Sequence, residues 1–441
     1  MKRSLNFLRF GLFLLILIPN SSFAGTEGSI ELIKDPTKSI TLQKALSLAL
    51  LKDPELEAFS AEQRAREARA LQSGLLPNPQ FDILVEDAAG SGNFNGFSQS
   101  QTTIQLSQLI ELGGKRGARL RADDLSGELA GWDYETKRMD VLTQVSKAYV
   151  DVLKAQEKVL LAQNLEGLGE KFLNAVTERV KAGKVASLEK TKAEITVSSM
   201  RIKLAKEKRA LKIARRNLSI HWENNQPAFE SALGDLFAIS PLPSLEQLMD
   251  RLADNPDLQR WGTELEQRQA VLDREFSKRI PNLNLIGGFR RIEETDDNTL
   301  IFGFSIPLQL FDRNQGAISE AHHKLAKVNA EKRAAELKVT KTLLEAYNTV
   351  DFSHSQVIEI KTNILPGAQK AFDGVNEGYR FGKFGYLDVL DSQKIFFEAQ
   401  GQYLEALATH HKAVADVERL IGEPLAPGHQ PLATPKGESR P

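Results

Sequence analysis

Apolar residues along the chain change period several times, and each change marks an element. Leu42, Ala45, Leu46, Ala49 and Leu50 recur at the i, i+3, i+4, i+7 spacing of an amphipathic helix. From Phe81 the period drops to two, with Phe81, Ile83 and Val85 on one face and Asp82, Leu84 and Glu86 on the other. A second strand follows, in which Ile104 and Leu106 oppose Gln105 and Ser107. The alternation returns at Leu283, Leu285 and Phe289, opposed to Asn284 and Arg290. It recurs at Leu300, Phe302, Phe304, Ile306 and Leu308, opposed to Gly303 and Ser305. Polar, glycine-rich loops, 89–100 and 293–298, join the strands of each pair. After each pair, a stretch of about 66 residues, 116–181 and 315–380, reads as one continuous helix extending roughly 100 Å. In the first of these, Leu142, Val145, Tyr149, Val152 and Val159 lie at heptad-like spacing, which predicts helices packed side by side.

The elements come twice, in the same order. Lys52-Asp53-Pro54-Glu55-Leu56 is answered by Asp254-Asn255-Pro256-Asp257-Leu258, and Leu76-Pro77-Asn78-Pro79 by Ile280-Pro281-Asn282-Leu283. Gly117-Ala118 then answers Gly316-Ala317, Ala148-Tyr149 answers Ala346-Tyr347, and Gly183-Lys184 answers Gly382-Lys383, an offset of 382 − 183 = 199. This predicts an internal duplication. The first repeat covers 40–240 with a β-hairpin at 79–110; the second covers 241–423 with a hairpin at 282–309. Each reads helix, strand, strand, very long helix, glycine turn, helix, a fold mainly α with a small β part. Ser244 and Gln247 at the head of the second repeat have the spacing of a capping box.

The ends read differently. Residues 1–24 have the form of a signal peptide: Lys2, Arg3 and Arg9, a short apolar run, then Ser22-Phe23-Ala24 as a cleavage site. Residues 25–39 form an N-terminal extension, and 424–441, rich in proline and glycine, a disordered tail. Removing the signal leaves a net charge of (57 − 3) − 58 = −4, which speaks against nucleic acid as a partner. The absence of cysteine excludes disulfides, thiolate metal sites, a cysteine nucleophile and a lipidated N-terminal cysteine. No later apolar run reaches the roughly 18 residues of a membrane helix, so only a β-barrel could meet a bilayer. Four strands cannot close alone; two chains would give eight, and three would give twelve with room for water.

The repeat, hairpins and glycine turns resemble the TolC family of outer-membrane efflux proteins over about residues 40–422. Leu109-Ile110-Glu111-Leu112-Gly113-Gly114-Lys115-Arg116 is similar to the strand-to-helix junction of its heavy-metal, cobalt–zinc–cadmium branch. The resemblance implies a TolC-like homotrimer in the outer membrane of a Gram-negative bacterium, a twelve-stranded barrel with four strands per chain above a long α-helical tunnel in the periplasm. Its implied partners are a periplasmic adaptor (membrane fusion) protein, an inner-membrane transporter of RND type and outer-membrane lipid. The expected function is passive conduction of substrate, heavy-metal cations among the candidates, out of a tripartite efflux pump. The exit duct of a type I secretion or drug-export system and a periplasmic coiled-coil scaffold are the alternatives.

Candidate working residues cluster at the second glycine turn. Asp388 and Asp391, three apart, share a helix face; turned toward a threefold axis, that face would ring an aperture with carboxylates. The bland alternative is a solvated acidic face. By the resemblance these two form a periplasmic gate and Tyr379 joins the network that holds it shut; Glu189 is the matching acid of the first repeat, and the family's arginine partner aligns with Phe384. Gly183, Lys184, Gly382 and Lys383 end helices, and the resemblance makes them an adaptor-docking tip. The histidines (His221, His322, His323, His354, His410, His411 and His429) read as solvated helix positions, so neither a metal site nor a cofactor is expected. Gly113-Gly114-Lys115 lacks the flanking residues of a phosphate loop, and no catalytic triad or GxSxG is present, so no enzyme is expected.

Overall fold

Side-chain caps set the helix boundaries in the computed structural model, which describes residues 37–239 and 241–425. The signal peptide, residues 25–36 of the extension and the tail from residue 426 lie outside the described residues. Strand β1 (Ser39–Thr41) runs into α1 (Leu42–Lys52), where Thr41 Oγ1 accepts the Lys44 N–H at 3.2 Å. The expected single first helix is two helices, because Asp53 closes one and caps the next. Its carboxylate accepts the N–H groups of Glu55 and Leu56 at 2.9 and 3.2 Å, and Pro54 opens α2 (Pro54–Ser73). Further along, Ser244 and Gln247 form a reciprocal capping box on α5 (Leu245–Arg251). Asn255 then repeats the break, its Oδ1 accepting Asp257 N–H at 2.7 Å as Pro256 opens α6 (Pro256–Ser277).

Helix α3 (Lys115–Lys181) is continuous over 67 residues, and α4 (Ser187–Ile220) returns along it. The second long stretch is not one regular helix. It comprises α7 (Gln315–Glu359), a π-helical turn (Ile360–Ile364) and α8 (Leu365–Arg380). Pro366 is the physical reason: it supplies no N–H and its ring crowds the carbonyl four residues back, and a wider turn relieves both. Helix α9 (Tyr386–Ile421) completes the helical set. Its core is strung along the rods. One cluster joins Leu343 and Val350 to Val417 and Ile421, another stacks Phe372 on Phe396 with ring centroids 5.6 Å apart, and a third lies at the tip.

Sequence periodicity missed a small two-stranded parallel sheet. Strand β4 (Ser231–Leu233) pairs in parallel with β1, and Tyr149 on α3 pins the pair, its Oη 2.9 Å from the Ile40 carbonyl and 2.5 Å from that of Leu233. Burial pushes this phenol up to about 12.

The four remaining strands, β2 (Gln80–Glu86), β3 (Gln101–Ile110), β5 (Leu283–Ile292) and β6 (Asp297–Ser305), form one antiparallel sheet in the order β2-β3-β5-β6. The central pairing joins distant segments, with Ile104 opposite Phe289 and Gln105 opposite Gly288. Gly288 belongs there because a Cβ would lie 2.8 Å from the Ile104 carbonyl oxygen.

Candidate functional site

The register gives the sheet two chemically opposite faces. Phe81 opposes Leu106, Ile83 opposes Ile104, Ile104 opposes Phe289, and Phe289 opposes Leu300; Leu285 opposes Phe304. These residues, with Val85 and Phe302, make one apolar face, and none of the described residues covers it: Phe302 is 82% and Phe81 62% exposed. The other face carries Asp82, Glu86, Thr103, Gln105, Ser107, Arg290 and Thr299 by the same register. Arg290 organises it, donating from Nε to Thr103 at 2.9 Å and from Nη1 to Gln101 at 3.2 Å, with Glu86 at 3.6 Å.

At the far end of the rods, two turns are built alike. Gly183 and Gly382 have φ of 70° and 77°, the left-handed conformation that glycine adopts without a steric cost. Lys184 N–H bonds the Arg179 carbonyl and Gly183 N–H that of Val180, both at 2.9 Å; Lys383 and Gly382 repeat the pattern on Gly378 and Tyr379 at 2.8 and 3.0 Å. Each is a Schellman ending of a helix. Lys184 and Lys383 project from these turns into solvent, and Phe381, Leu387 and Leu188 are exposed beside them.

The residues expected at a gate fall into two groups. Tyr379 is buried and donates its phenolic proton to Glu189 Oε2 at 3.4 Å. Phe172 packs between Tyr379 and Tyr386, with centroids at 5.2 and 5.5 Å, and Tyr386 bonds the Thr196 hydroxyl at 3.2 Å. Asp388 and Asp391 lie apart from this cluster, both exposed on one face of α9. Asp388 also caps its own helix, accepting the Gly385 N–H at 2.8 Å.

The decisive neighbour of Tyr379 was not legible in the sequence. Arg179 lies with its guanidinium carbon 4.4 Å from the Tyr379 ring centroid and donates to the Tyr379 carbonyl at 3.0 Å. A basic residue in the last turn of a helix is ordinarily read as answering the helix dipole, which hid its second role. Burial raises the Tyr379 phenol; Arg179 opposes that rise and Glu189 adds to it. Phe384, where the resemblance would place an arginine, packs instead on Gly378, whose Cβ would overlap the ring.

His410 departs from the solvated position expected of the histidines. It is buried, with Ser353 Oγ 3.4 Å from its Nδ1 and the His354 ring 5.6 Å away across the α7–α9 seam. The seam closes at that height because α9 carries apolar residues on most of its circumference, so a polar ring is drawn in with them. Among the described residues no group of three or more His, Asp or Glu side chains is placed to hold a metal ion. No described helix is long and apolar enough to cross a membrane.

Comparison with known proteins is consistent along almost the whole chain. The family described as outer membrane efflux protein matches residues 45–221 and again 248–423. The cobalt-zinc-cadmium resistance protein CzcC of Cupriavidus metallidurans is 34% identical over 420 residues, 94% of this chain and 99% of the relative. The outer membrane protein TolC of Salmonella enteritidis is 22% identical over 84% of this chain and 79% of its own. The open-state structure of the Neisseria gonorrhoeae MtrE outer membrane channel superposes with a TM-score of 0.72 at 20% identity, covering 87% of this chain and 89% of that one, which establishes a common fold.

Proposed function

The chain belongs to the outer membrane efflux protein family, and from that premise we propose that three copies close one twelve-stranded barrel above a shared helical tunnel. The protein itself is an outer-membrane efflux channel, a passive component of a tripartite pump and not an enzyme. An adaptor and an inner-membrane transporter are its partners. The finer assignments, a homotrimer, a transporter of RND type and divalent heavy-metal cations as cargo, are ours. The twofold match of one family pattern, 45–221 and 248–423, supports the duplication read from the sequence.

The observation that carries the trimer is the sheet. Its four strands leave β2 and β6 as open edges, and its apolar face has no core to cover. Lipid on the apolar face and water on the Arg290 face satisfy both, once copies join edge to edge. The rods carry matching unpartnered seams. Leu188, Ile195 and Ile202 on α4 are exposed at intervals of seven residues, and Leu337, Leu344 and Ile358 on α7 at multiples of seven. Such seams fit coiled-coil packing against a neighbouring copy. At the tip, Asp388 and Asp391 from three chains would ring the tunnel axis as a cation-attracting gate. Tyr379 and Glu189 would hold the neighbouring helices closed, and the lysine turns with Phe381 would face the adaptor. The name of the 34%-identical relative supports cobalt, zinc and cadmium as the first cargo to test.

Light scattering of the mature protein in detergent, corrected for bound detergent, tests the assembly. A particle of three chains is the expected outcome, with conductance in planar bilayers. A monomer that stays soluble without detergent would remove the barrel and leave a helical scaffold. Deletion followed by separate metal, drug and protein export assays tests the cargo, and unchanged metal efflux would overturn the metal assignment.

A further inference from the structure

We propose that the junction between β6 and α7 binds the phosphate of a phospholipid headgroup, with Arg279 and Arg313 as its cations. This rests on reading the sheet as part of a membrane barrel. The apolar parity of β6 runs on past its last paired residue: Phe304 is followed at steps of two by Ile306, Leu308 and Leu310, all exposed. The run ends at Phe311, 90% exposed, where a cavity of about 640 Å³ opens between the end of α6 and the start of α7. Phe276, Leu310, Phe311 and Ile318 line its apolar side, and Arg279 and Arg313 its cationic side.

Both arginines are exposed, and among the described residues neither has a carboxylate partner; the Arg313 guanidinium donates to the Leu310 carbonyl at 3.4 Å, and its backbone N–H to Gln315 Oε1 at 2.8 Å. Their neighbours Arg274 and Lys278 are both held by Glu275. Two unpaired guanidinium groups therefore stand where a lipid-facing apolar band stops. That is the depth at which acyl chains give way to phosphates, and a guanidinium makes its strongest hydrogen bonds to such oxyanions. The apolar wall would take the first segment of an acyl chain, which free phosphate lacks. A second copy could cover Phe311 but would leave both charges without a counter-ion.

The test is native mass spectrometry of the full-length protein in detergent, titrated with palmitoyl-oleoyl phosphatidylglycerol. Wild-type protein should retain lipid that inorganic phosphate does not displace. The Arg279→Gln/Arg313→Gln double variant should bind it roughly tenfold or more weakly, and the Arg279→Lys/Arg313→Lys variant should keep part of the affinity. Equal retention in the glutamine variant, or displacement by inorganic phosphate, overturns the proposal. So does loss of assembly with lipid binding intact, which would make a second copy the occupant. The two readings fail separately. Normal conductance with unchanged lipid retention sinks only the headgroup site, whereas a protein that needs no detergent and takes up no lipid sinks the channel reading beneath it.

Discussion

Replacing Glu418 with glutamine should shift the stability balance in the variant's favour as the pH is raised from 5 to 8. Glu418 is fully buried on α9; Oε1 accepts the Leu425 N–H at 2.9 Å, and Oε2 has no partner. Burial is the dominant cause that pushes its carboxyl from 4.5 up to about 7, against the pull of the Leu425 N–H. A carboxyl raised on folding contributes fully below the unfolded value of 4.5. That contribution is lost as pH climbs from 4.5 to about 7, because over that range the unfolded carboxyl ionises freely while the folded one, held out of water, stays protonated. The full loss is about 3 kcal/mol. Glutamine keeps the shape and the acceptor for Leu425 but never ionises. The gap between variant and wild type should therefore move in the variant's favour by about 2–3 kcal/mol from pH 5 to pH 8, whatever fixed cost the unpartnered amide NH2 adds at both, which for a chain of this size corresponds to roughly 2–6 °C in apparent Tm. Circular dichroism melts of both proteins in one detergent, stepped from pH 5 to pH 8, read the difference directly. A gap that is constant with pH, or that widens toward acid, would refute the buried-carboxyl argument.

The tip and the sheet offer further tests. Asn at Asp388 and Asp391 together should increase leak through the reconstituted channel and abolish block by divalent cations, and unchanged conductance and block would defeat the gate assignment. Arg179→Ala should cost about 1–2 kcal/mol of local stability and speed amide exchange around residues 172–190 and 375–392, whereas Tyr379→Phe, which loses the phenol's contacts but keeps the ring beneath the Arg179 guanidinium, should do less; the reverse order would mean that the cation over the ring does not matter. Gly382→Ala forces a side chain into the left-handed region at about 1–2 kcal/mol, so faster exchange confined to the second turn is expected, and a rigid variant tip would contradict the Schellman account. Phe302→Arg on the apolar sheet face should lower membrane assembly by about 2–4 kcal/mol while Ser305→Arg on the opposite face, across from the neutral Asn284, is tolerated, and equal tolerance, read by the yield of detergent-resistant oligomer, would remove the lipid assignment of that face.

Period and punctuation are local properties, and they make the helical class, the alternating faces and the glycine turns legible in the amino-acid sequence alone. A residue at step two or step seven occupies its face whatever lies opposite, and a glycine after a helix marks a left-handed stop. Breaks are harder: Asp53-Pro54 and Asn255-Pro256 read as landmarks, and the structure makes each a new helix start, because the Asp or Asn side chain outcompetes continuation of the helix. Pro366 becomes a π-helical turn within one rod, since packing on α9 holds the two halves in line. What no local signal carries is partnership across the chain. Parity does not say that β3 pairs with β5, setting Gln101 opposite Ile292 and Ile110 opposite Leu283. Nor does it say that Arg179 lies over Tyr379, that His410 faces Ser353, or that Glu418 is sealed from water. Those contacts join segments brought together only when the rods align, so their energies depend on the assembled packing and not on any window of sequence.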